Sequence, residues 1–417
     1  MRRPMLFILI VVIVFSYIYT NKKEITKIEE NNIKVSGIVT NIEKKEKYIC
    51  YEVNDYLVQS YNKNNIIKVG SEVIIEGKNK DLNSLKYDDF DYGRYLKSKG
   101  YRGLIYLDKY EVKGKSEFYT MIGDIKEDIY GKIQYLYKEK SSFLQALIIG
   151  IKNDLTLYER DLFSKTGISH IVSISGMHIS IIAGIIIILI GKINKIYKFI
   201  LLEIGVMLYY LIVGEMPSIQ RAIIFSIINY VSFFIDRRND GISSLSIIGV
   251  LLITNNPYII YNLSFQLSFL ATLSIIYFRT YIKNIVKSNI LAITISANIL
   301  TIPIIYYYFN IISIVSIISN VIVTPFIGAI MIMGIFSVSI FELNVSLAKY
   351  ISSVLIDIIN SIYILLDKLS GIKFAYIEVE NPKIYYVIIY YVVIFIYMVY
   401  KERKTIKEQK NELQGYC

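Results

Sequence analysis

The sequence of residues 171–190 is IVSISGMHISIIAGIIIILI, an apolar stretch that contains no Asp, Glu, Lys or Arg. An α-helix of ~20 residues is long enough to cross the hydrocarbon core of a bilayer. Backbone groups in hydrocarbon find no water to bond, so a segment of this kind must be helical. The stretch therefore predicts a transmembrane helix, and it carries polar groups such as Ser175 and His178 at membrane depth.

The composition of the whole chain also indicates a membrane protein. It has 417 residues, of which 54% are hydrophobic, and its mean hydropathy is +0.46. Soluble domains have a more balanced apolar content. Residues 21–140 are dense in Lys, Glu and Asp, whereas the chain from residue 171 onward carries charge only in short clusters. We therefore expect two regions in different solvents.

The N-terminus predicts a membrane anchor. Arg2 and Arg3 precede an apolar run over residues 5–19, which ends without a small-residue cleavage site. We interpret residues 1–20 as a retained signal anchor and first transmembrane helix with a cytoplasmic N-terminus, and cleavage of this segment is the alternative. Residues 21–140 are then extracytoplasmic.

Short strand-like segments occupy residues 33–112. Residues 33–40 and 69–77, for example, show the alternation and flanking turns of β-strands. The pattern predicts a small β-barrel, and periodicity alone does not choose an OB-type barrel over another small barrel. Helical stretches at residues 90–99 and 125–139 interrupt the strands and lead back toward the membrane.

Apolar runs continue to residue 400 and predict about ten spans in all. Lys and Arg clusters fall on alternate connections, which places those connections and both chain ends in the cytoplasm. The predicted fold class is a polytopic α-helical membrane protein of the plasma membrane with a small extracytoplasmic, OB-like β-barrel domain near the N-terminus. The predicted domains after the anchor are an OB-like domain at 21–140, a helical membrane domain at 141–400 and a cytoplasmic tail at 401–417.

Net charge, cysteines and histidines limit the functions. A net charge of +11 suits a nucleic-acid partner, but excess Lys and Arg collect in the cytoplasmic loops of any membrane protein, and we prefer that interpretation. Cys50 and Cys417 are predicted on opposite sides of the membrane, so we expect no intrachain disulfide. His170 and His178 are the two histidines, too few for a clustered metal site, and we expect no metal and no cofactor.

A set of motifs recurs along the chain in a fixed order. Residues 146–184 contain Ser169-His170 and, further on, Ser175-Gly176-Met177-His178. The other segments are residues 90–100, 214–222, 256–271 and 303–325. Together the five segments resemble the ComEC family, the DNA-uptake channel proteins of natural transformation.

The resemblance implies a fold, a function and partners. ComEC proteins have an OB-like domain outside the membrane and a helical channel that passes one DNA strand inward, so residues 141–400 would be the channel domain. Single-stranded DNA and the lipid bilayer would be its partners. Many members also carry a metallo-β-lactamase-like domain, whose His-x-His-x-Asp-His motif a chain with two histidines cannot hold. We therefore expect no enzyme activity in this chain. A nuclease, a DNA receptor and an ATP-driven translocase would be separate partner proteins, and homo-oligomerisation is left open.

Polar residues at membrane depth are the candidates for the DNA path, because such groups usually face a bundle interior or water. Arg221 needs a partner, for which Glu215 is nearest in sequence. An interhelical hydrogen bond or a structural ion pair remains the alternative to pore lining. The candidate path residues are His170, Ser173, Ser175, His178, Glu215, Arg221, Gln266 and Asn320.

Small residues form a separate pattern in the first motif. Gly176, Ser180 and Gly184 recur every four residues and therefore share one face of the predicted helix. Such a stripe lets a neighbouring helix approach closely. We expect these three residues to serve helix packing.

Two other functions compete with the channel. An intramembrane serine hydrolase would use Ser175 as nucleophile and His170 or His178 as base. A small-solute transporter is the third alternative, although the two halves of the chain show no inverted repeat.

Overall fold

A computed structural model gives the structure of residues 4–22, 32–63, 66–87, 90–214, 216–234 and 240–414. Glu215, Arg237, Arg238 and Cys417 lie outside these described residues. The described chain contains an N-terminal helix, a β-barrel and a large set of apolar helices. The predicted fold class, a polytopic α-helical membrane protein with a small barrel near its N-terminus, is confirmed.

The strands of the described residues are β1 (Asn32–Lys44), β2 (Ile49–Val53), β3 (Tyr56–Ser60), β4 (Ser71–Lys80), β5 (Lys86–Tyr87), β6 (Phe90–Asp91), β7 (Gly103–Lys115), β8 (Ile311–Ser313) and β9 (Tyr376–Glu378). Five of them close a barrel in the order β1-β2-β3-β7-β4. The β3–β7 pair is parallel, and the other neighbours are antiparallel. Five strands in one small closed barrel are what an OB-like domain requires.

Strand alternation fills the barrel with apolar side chains. Val39, Tyr51, Val58 and Ile105 are fully buried there, because alternate residues of a strand point to the same face. Burying one such side chain contributes about 1.5–3 kcal/mol. The barrel therefore has a hydrophobic core of its own, separate from that of the helices.

The helices of the described residues are α1 (Pro4–Lys22), α2 (Tyr92–Ser98), α3 (Glu117–Tyr137), α4 (Ser141–Ile149), α5 (Leu157–Lys165), α6 (Gly176–Ile190), α7 (Lys195–Val213), α8 (Pro217–Phe234), α9 (Gly241–Asn255), α10 (Leu263–Val286), α11 (Asn289–Phe309), α12 (Ser316–Ile340), α13 (Val345–Ser370) and α14 (Ile384–Gln414). Within the described chain, six segments, in α1, α7, α11, α12, α13 and α14, are long and apolar enough to cross a membrane. Two shorter helices, α6 and α9, are also apolar. The total of about ten spans stays a prediction.

The helix predicted at residues 171–190 begins later than expected. Residues 171–175 are turn and extended chain, and Ser175 is the N-cap of α6. Serine favours this position because its side chain competes with helical backbone bonds. As a correction, His170 and Ser173 precede the helix rather than lying on it.

Two helices connect the barrel to the bundle. In α2, the Arg94 guanidinium lies over the Tyr261 ring at 5.1 Å, and Asn256 Nδ2 donates to the Lys97 carbonyl at 2.9 Å. The following helix, α3, leaves the barrel and buries Ile133 in the core of the bundle. These contacts hold the barrel over the start of α10.

A buried carboxylate joins three helices of the bundle. Glu159 is 5% exposed, and its Oε1 accepts hydrogen bonds from the Tyr363 hydroxyl at 2.7 Å and the Ser142 hydroxyl at 3.2 Å. The Phe143, Phe163 and Tyr363 rings pack against one another at 5.7–5.8 Å between centroids. A satisfied carboxylate within an aromatic cluster fixes α4, α5 and α13 against one another.

Candidate functional site

A cavity of about 1100 Å³ lies between the barrel and the helix bundle. Its walls come from the barrel, from α2 and the loop that follows it, and from loops and helix ends of the bundle. We call it the vestibule and define it by Glu52, Asp55, Lys99, Arg102, Lys152, Ser173 and Ser218.

One positive charge, that of Lys152, lies on the bundle side of the vestibule. Lys152 Nζ donates to Ser173 Oγ at 2.8 Å. Burial, and secondly the charge of Lys99, lower the pKa of Lys152 to about 8. On the barrel side, Arg102 pairs with Asp55 at 3.0 Å. Lys152 has no salt-bridge partner within the described chain, so an anion entering the vestibule would find an unneutralised cation there.

A second cavity, of about 400 Å³, lies between α6, α7 and α8. We call it the Arg221 cavity and define it by Gly176, Ser180, Glu203, Arg221, Asn229 and Thr272. Arg221 Nη1 donates to the Ser268 carbonyl at 2.7 Å and also contacts the Thr272 hydroxyl. Both acceptors belong to α10, so that helix fixes the direction of the guanidinium.

The opposite edge of the guanidinium faces the cavity. A Cβ placed on Gly176 would lie 3.5 Å from Arg221 Nη2. Arg221 Nε is buried and has no hydrogen-bond partner among the described residues. Its predicted partner, Glu215, lies outside the described residues, and that ion pair stays a prediction.

Glu203 is the residue that the sequence analysis missed. It projects from α7 into the Arg221 cavity, and its Oε1 is buried without a partner in the described structure. The available signal was a carboxylate inside an apolar run, which by itself indicates a functional position in a membrane protein. No oppositely charged residue lies three or four positions from Glu203 in the sequence, so spacing did not identify a partner for it.

A thin partition separates the two cavities. Ser218 Oγ donates to the Ile174 carbonyl at 2.8 Å, which fastens the N-terminal turn of α8 to the chain before α6. Ser173 and Ser218 line the vestibule, whereas Gly176 and Arg221 line the deeper cavity. On α8, Arg221 follows Ser218 by three residues, so the partition is about one helical turn thick there, roughly 5 Å.

Ser175 and His178 contact each other instead of lining either cavity. Ser175 Oγ lies 3.1 Å from His178 Nδ1, and the Ser175 amide donates to the same nitrogen at 3.2 Å. The His178 side chain is fully buried, and its Nε2 has no partner among residues that the structure describes. His170 lies on the exposed turn that precedes this pair.

Gln266 and Asn320 make local bonds to the backbone. Gln266 Nε2 donates to the Ile260 carbonyl at 2.7 Å, and Asn320 Nδ2 donates to the Ser316 carbonyl at 2.8 Å. Neither side chain lines the vestibule or the Arg221 cavity. Of the predicted path residues, the structure therefore brings Ser173 and Arg221 to the two cavities.

The small-residue stripe faces space rather than a neighbouring helix. Gly176 and Ser180 line the Arg221 cavity, and a Cβ on Gly184 would meet no atom of the described chain within 4 Å. Close packing of the stripe against a neighbouring helix is not seen among the described residues, and that expectation stays a prediction. Small side chains on this face leave room beside Arg221.

Metal-binding clusters and reactive thiols are the remaining candidates for a chemical site among the described residues. They contain no group of three or more His, Cys, Asp or Glu that could hold a metal. Cys50 is a buried free thiol of the barrel, and burial raises its pKa to about 11. A thiol of that pKa is a poor nucleophile at neutral pH.

The fold and the two cavities define a polytopic membrane protein in which a β-barrel covers a vestibule, while a second cavity lined by Arg221 lies among the helices. Residues 147–404, more than half of the chain, match the family model described as Competence protein, and the chain belongs to that family. It is similar to ComE operon protein 3 of Bacillus subtilis (strain 168), with 23% identity over 275 residues. The aligned region covers 65% of this chain and 35% of that relative. No solved structure matches the chain. The ComEC resemblance seen in the motifs is thereby confirmed.

Proposed function

We propose that this chain acts in competence DNA uptake as the membrane channel component that passes a single DNA strand inward. Family membership and similarity to ComE operon protein 3 support a role in competence. The observation that carries the channel role is the placement of the vestibule, with Lys99 and Lys152 on its walls, between the barrel and Arg221.

The vestibule has the features that a single strand needs. Proteins that bind single strands without sequence preference combine a cationic groove for the backbone with aromatic rings for the bases. Tyr95, Tyr101 and Tyr258 line the vestibule together with the two lysines. Stacking on such rings contributes about 1–3 kcal/mol per base and tolerates any sequence.

Helix charge supports the direction of passage. The barrel docks at the start of α10, whereas Lys283 and Lys287 lie at the other end of that helix. Lys195 and Lys198 similarly begin α7. Basic residues favour the cytoplasmic side, so the barrel is extracytoplasmic and the strand moves from the vestibule inward. A nuclease, a DNA receptor and an ATP-driven translocase would be separate chains.

Uptake of labelled DNA tests this function. Lys99→Ala combined with Lys152→Ala is expected to reduce nuclease-protected internal label about tenfold or more, because two phosphate contacts are lost. Lys113→Ala, on the exposed barrel surface away from the vestibule, is the matched control. Normal import by the double variant at wild-type membrane levels would contradict the proposal.

A serine hydrolase remains the second candidate because Ser175 Oγ lies within reach of His178 Nδ1 at 3.1 Å. That nitrogen also accepts from the Ser175 amide, and no carboxylate in the described chain orients Nε2. Both features weaken His178 as a general base. Labelling of Ser175 by a fluorophosphonate, with loss of function in Ser175→Ala, would favour the hydrolase over the channel.

A further inference from the structure

The Arg221 cavity holds two opposite charges that do not pair with each other. Arg221 Nε and Glu203 Oε1 are both buried and lack hydrogen-bond partners among the described atoms, and no salt bridge joins the two side chains. Charged groups at membrane depth are expensive and ordinarily pair or serve a function. The cavity, at about 400 Å³, falls within the size range of small-ligand sites.

The two charges specify what a ligand must offer. Arg221 presents donors and suits a phosphate through its planar geometry. Glu203, when ionised, can only accept hydrogen bonds. A ligand that satisfies both side chains therefore carries an anionic acceptor at one end and a hydrogen-bond donor at the other.

One nucleotide of a DNA strand has this pair of groups. Its phosphodiester is the anionic acceptor, and the exocyclic amino group of cytosine or adenine is the donor. We infer that the Arg221 cavity is a nucleotide subsite, in which Arg221 holds a backbone phosphate while Glu203 accepts a hydrogen bond from the amino group of a base. This inference rests on the channel proposed above and adds a base preference to it.

The surrounding residues give a nucleotide room and a route. Gly176 and Ser180 keep one wall free of bulky side chains, and Phe225 offers an aromatic face on another. The partition fastened by Ser218 and Ile174 separates this site from the vestibule by one turn of helix. A strand held in the vestibule therefore needs a short advance to place its next nucleotide beside Arg221.

The expected preference for cytosine over thymine follows from the amino group of cytosine, which is a hydrogen-bond donor. Cytosine carries an amino group that a carboxylate can accept from, whereas thymine presents a carbonyl at the corresponding position. Occupancy of the cavity by oligo(dC) should thus exceed occupancy by oligo(dT) by about tenfold. The vestibule, which binds through phosphates and stacking, should treat the two oligomers nearly alike.

A single introduced tryptophan can report on each cavity, because the chain contains none. Phe225→Trp places the fluorophore in the Arg221 cavity, and Tyr258→Trp places it in the vestibule. Each full-length variant is titrated in phosphatidylcholine vesicles with oligo(dC) and with oligo(dT). We expect the Phe225→Trp signal to need about tenfold more oligo(dT) than oligo(dC), and the Tyr258→Trp signal to need equal amounts.

Substitution of Glu203 separates a chemical role from a structural one. Glu203→Gln retains a carbonyl acceptor for cytosine but adds an amide donor that thymine O4 can accept from, so it should reduce the preference for oligo(dC). Glu203→Leu removes the acceptor and should abolish that preference, while the vestibule reporter in the same background continues to respond and shows that the protein is folded.

Several outcomes would overturn the inference. A vestibule response without any cavity response would leave the channel proposal intact and remove the subsite. Equal oligo(dC) and oligo(dT) midpoints at Phe225→Trp, or a preference that survives in Glu203→Leu, would remove the role of Glu203. A cavity signal that follows added phosphatidylethanolamine in the absence of DNA would assign the site to a lipid headgroup. Silence of both reporters would count against the channel itself.

Discussion

The vestibule and the Arg221 cavity both contain charged side chains, but the surroundings of those charges differ. The vestibule mixes several cations and carboxylates, such as Lys99, Arg102 and Asp55, around about 1100 Å³. The deeper cavity has Arg221 and Glu203 facing about 400 Å³ among mainly apolar neighbours. Charges of both signs offset one another in the vestibule, although burial still lowers the pKa of Lys152 there. The mainly apolar walls of the Arg221 cavity make each of its two charges expensive to desolvate.

This difference assigns different tasks to the two cavities. Many weak, screened charges attract a polyanion over a distance and release it easily. A single guanidinium held by the Ser268 carbonyl acts at short range and through defined geometry. We expect the vestibule to govern capture and salt dependence, and the Arg221 cavity to govern passage.

The largest effect is expected from Arg221→Met. A hydrogen bond to a charged group contributes about 1.5–3 kcal/mol, so import should fall by roughly tenfold to a hundredfold. Binding in the vestibule, measured through Tyr258→Trp, should change by less than about twofold because the partition separates the sites. Arg221→Lys is the matched variant and should recover part of the import. If Arg221→Met reduced DNA binding in the vestibule as much as import, the two cavities would not have the separate roles of capture and passage.

An intermediate effect is expected from pH. Lys152, whose pKa burial lowers to about 8, is charged below that pH and loses its proton above it. Oligonucleotide affinity in the vestibule should therefore fall several-fold between pH 7 and pH 9, by the loss of one cationic contact. Lys152→Met should remove this pH step. The control is Lys113→Met, an exposed lysine paired with Glu111, which should retain it.

A smaller effect is expected on the salt dependence of DNA binding in the vestibule. Each phosphate contact to a single strand contributes about 0.7 to the slope of log affinity against log salt. Lys99→Ala should lower the slope of vestibule binding by about this amount, and Lys113→Ala should leave it unchanged. A slope that responds equally to both substitutions would show that general surface charge, rather than the vestibule, attracts the strand.

The smallest effect is expected from Ser175→Ala. Ser175 caps α6 and contacts His178 without lining either cavity. Loss of an N-cap side chain destabilises a helix by about 0.5–2 kcal/mol, which an intact bundle can absorb. Import should stay within about threefold of wild type, whereas abolished import would favour the hydrolase chemistry.

The sequence predicted the local structure well and the meeting of distant elements poorly. Alternation in segments such as residues 69–77 identified a barrel, but the parallel β3–β7 closure is a long-range pairing that no periodicity reveals. The polar N-cap at Ser175 also makes the apolar helix begin later than its hydropathy indicated. Hydropathy detects burial, whereas helix ends depend on hydrogen bonds of the first turn.

The candidate sites show the same limit. Arg221 and Ser173 could be predicted because polar residues beside apolar runs are conspicuous. Lys152 could not, since its burial results from the docking of the barrel over a loop. Glu203 was visible as a charge, but its role depends on facing Arg221 from a different helix. The small side chains at Gly176 and Ser180 are compatible in sequence with helix packing or with lining a cavity, and the structure places both of them at the Arg221 cavity.

Protection of introduced cysteines tests most directly whether one strand occupies both cavities. Ser173→Cys labels the vestibule, Ser180→Cys labels the Arg221 cavity, and Lys113→Cys on the barrel surface is the control. Cys417 is replaced by serine, and Cys50 can stay because burial raises its pKa to about 11. The reaction rate of each thiol with a charged methanethiosulfonate is measured with and without single-stranded DNA. We expect slower reaction at residues 173 and 180 and an unchanged rate at residue 113. Protection at 173 with an unchanged rate at 180 would contradict passage through the Arg221 cavity.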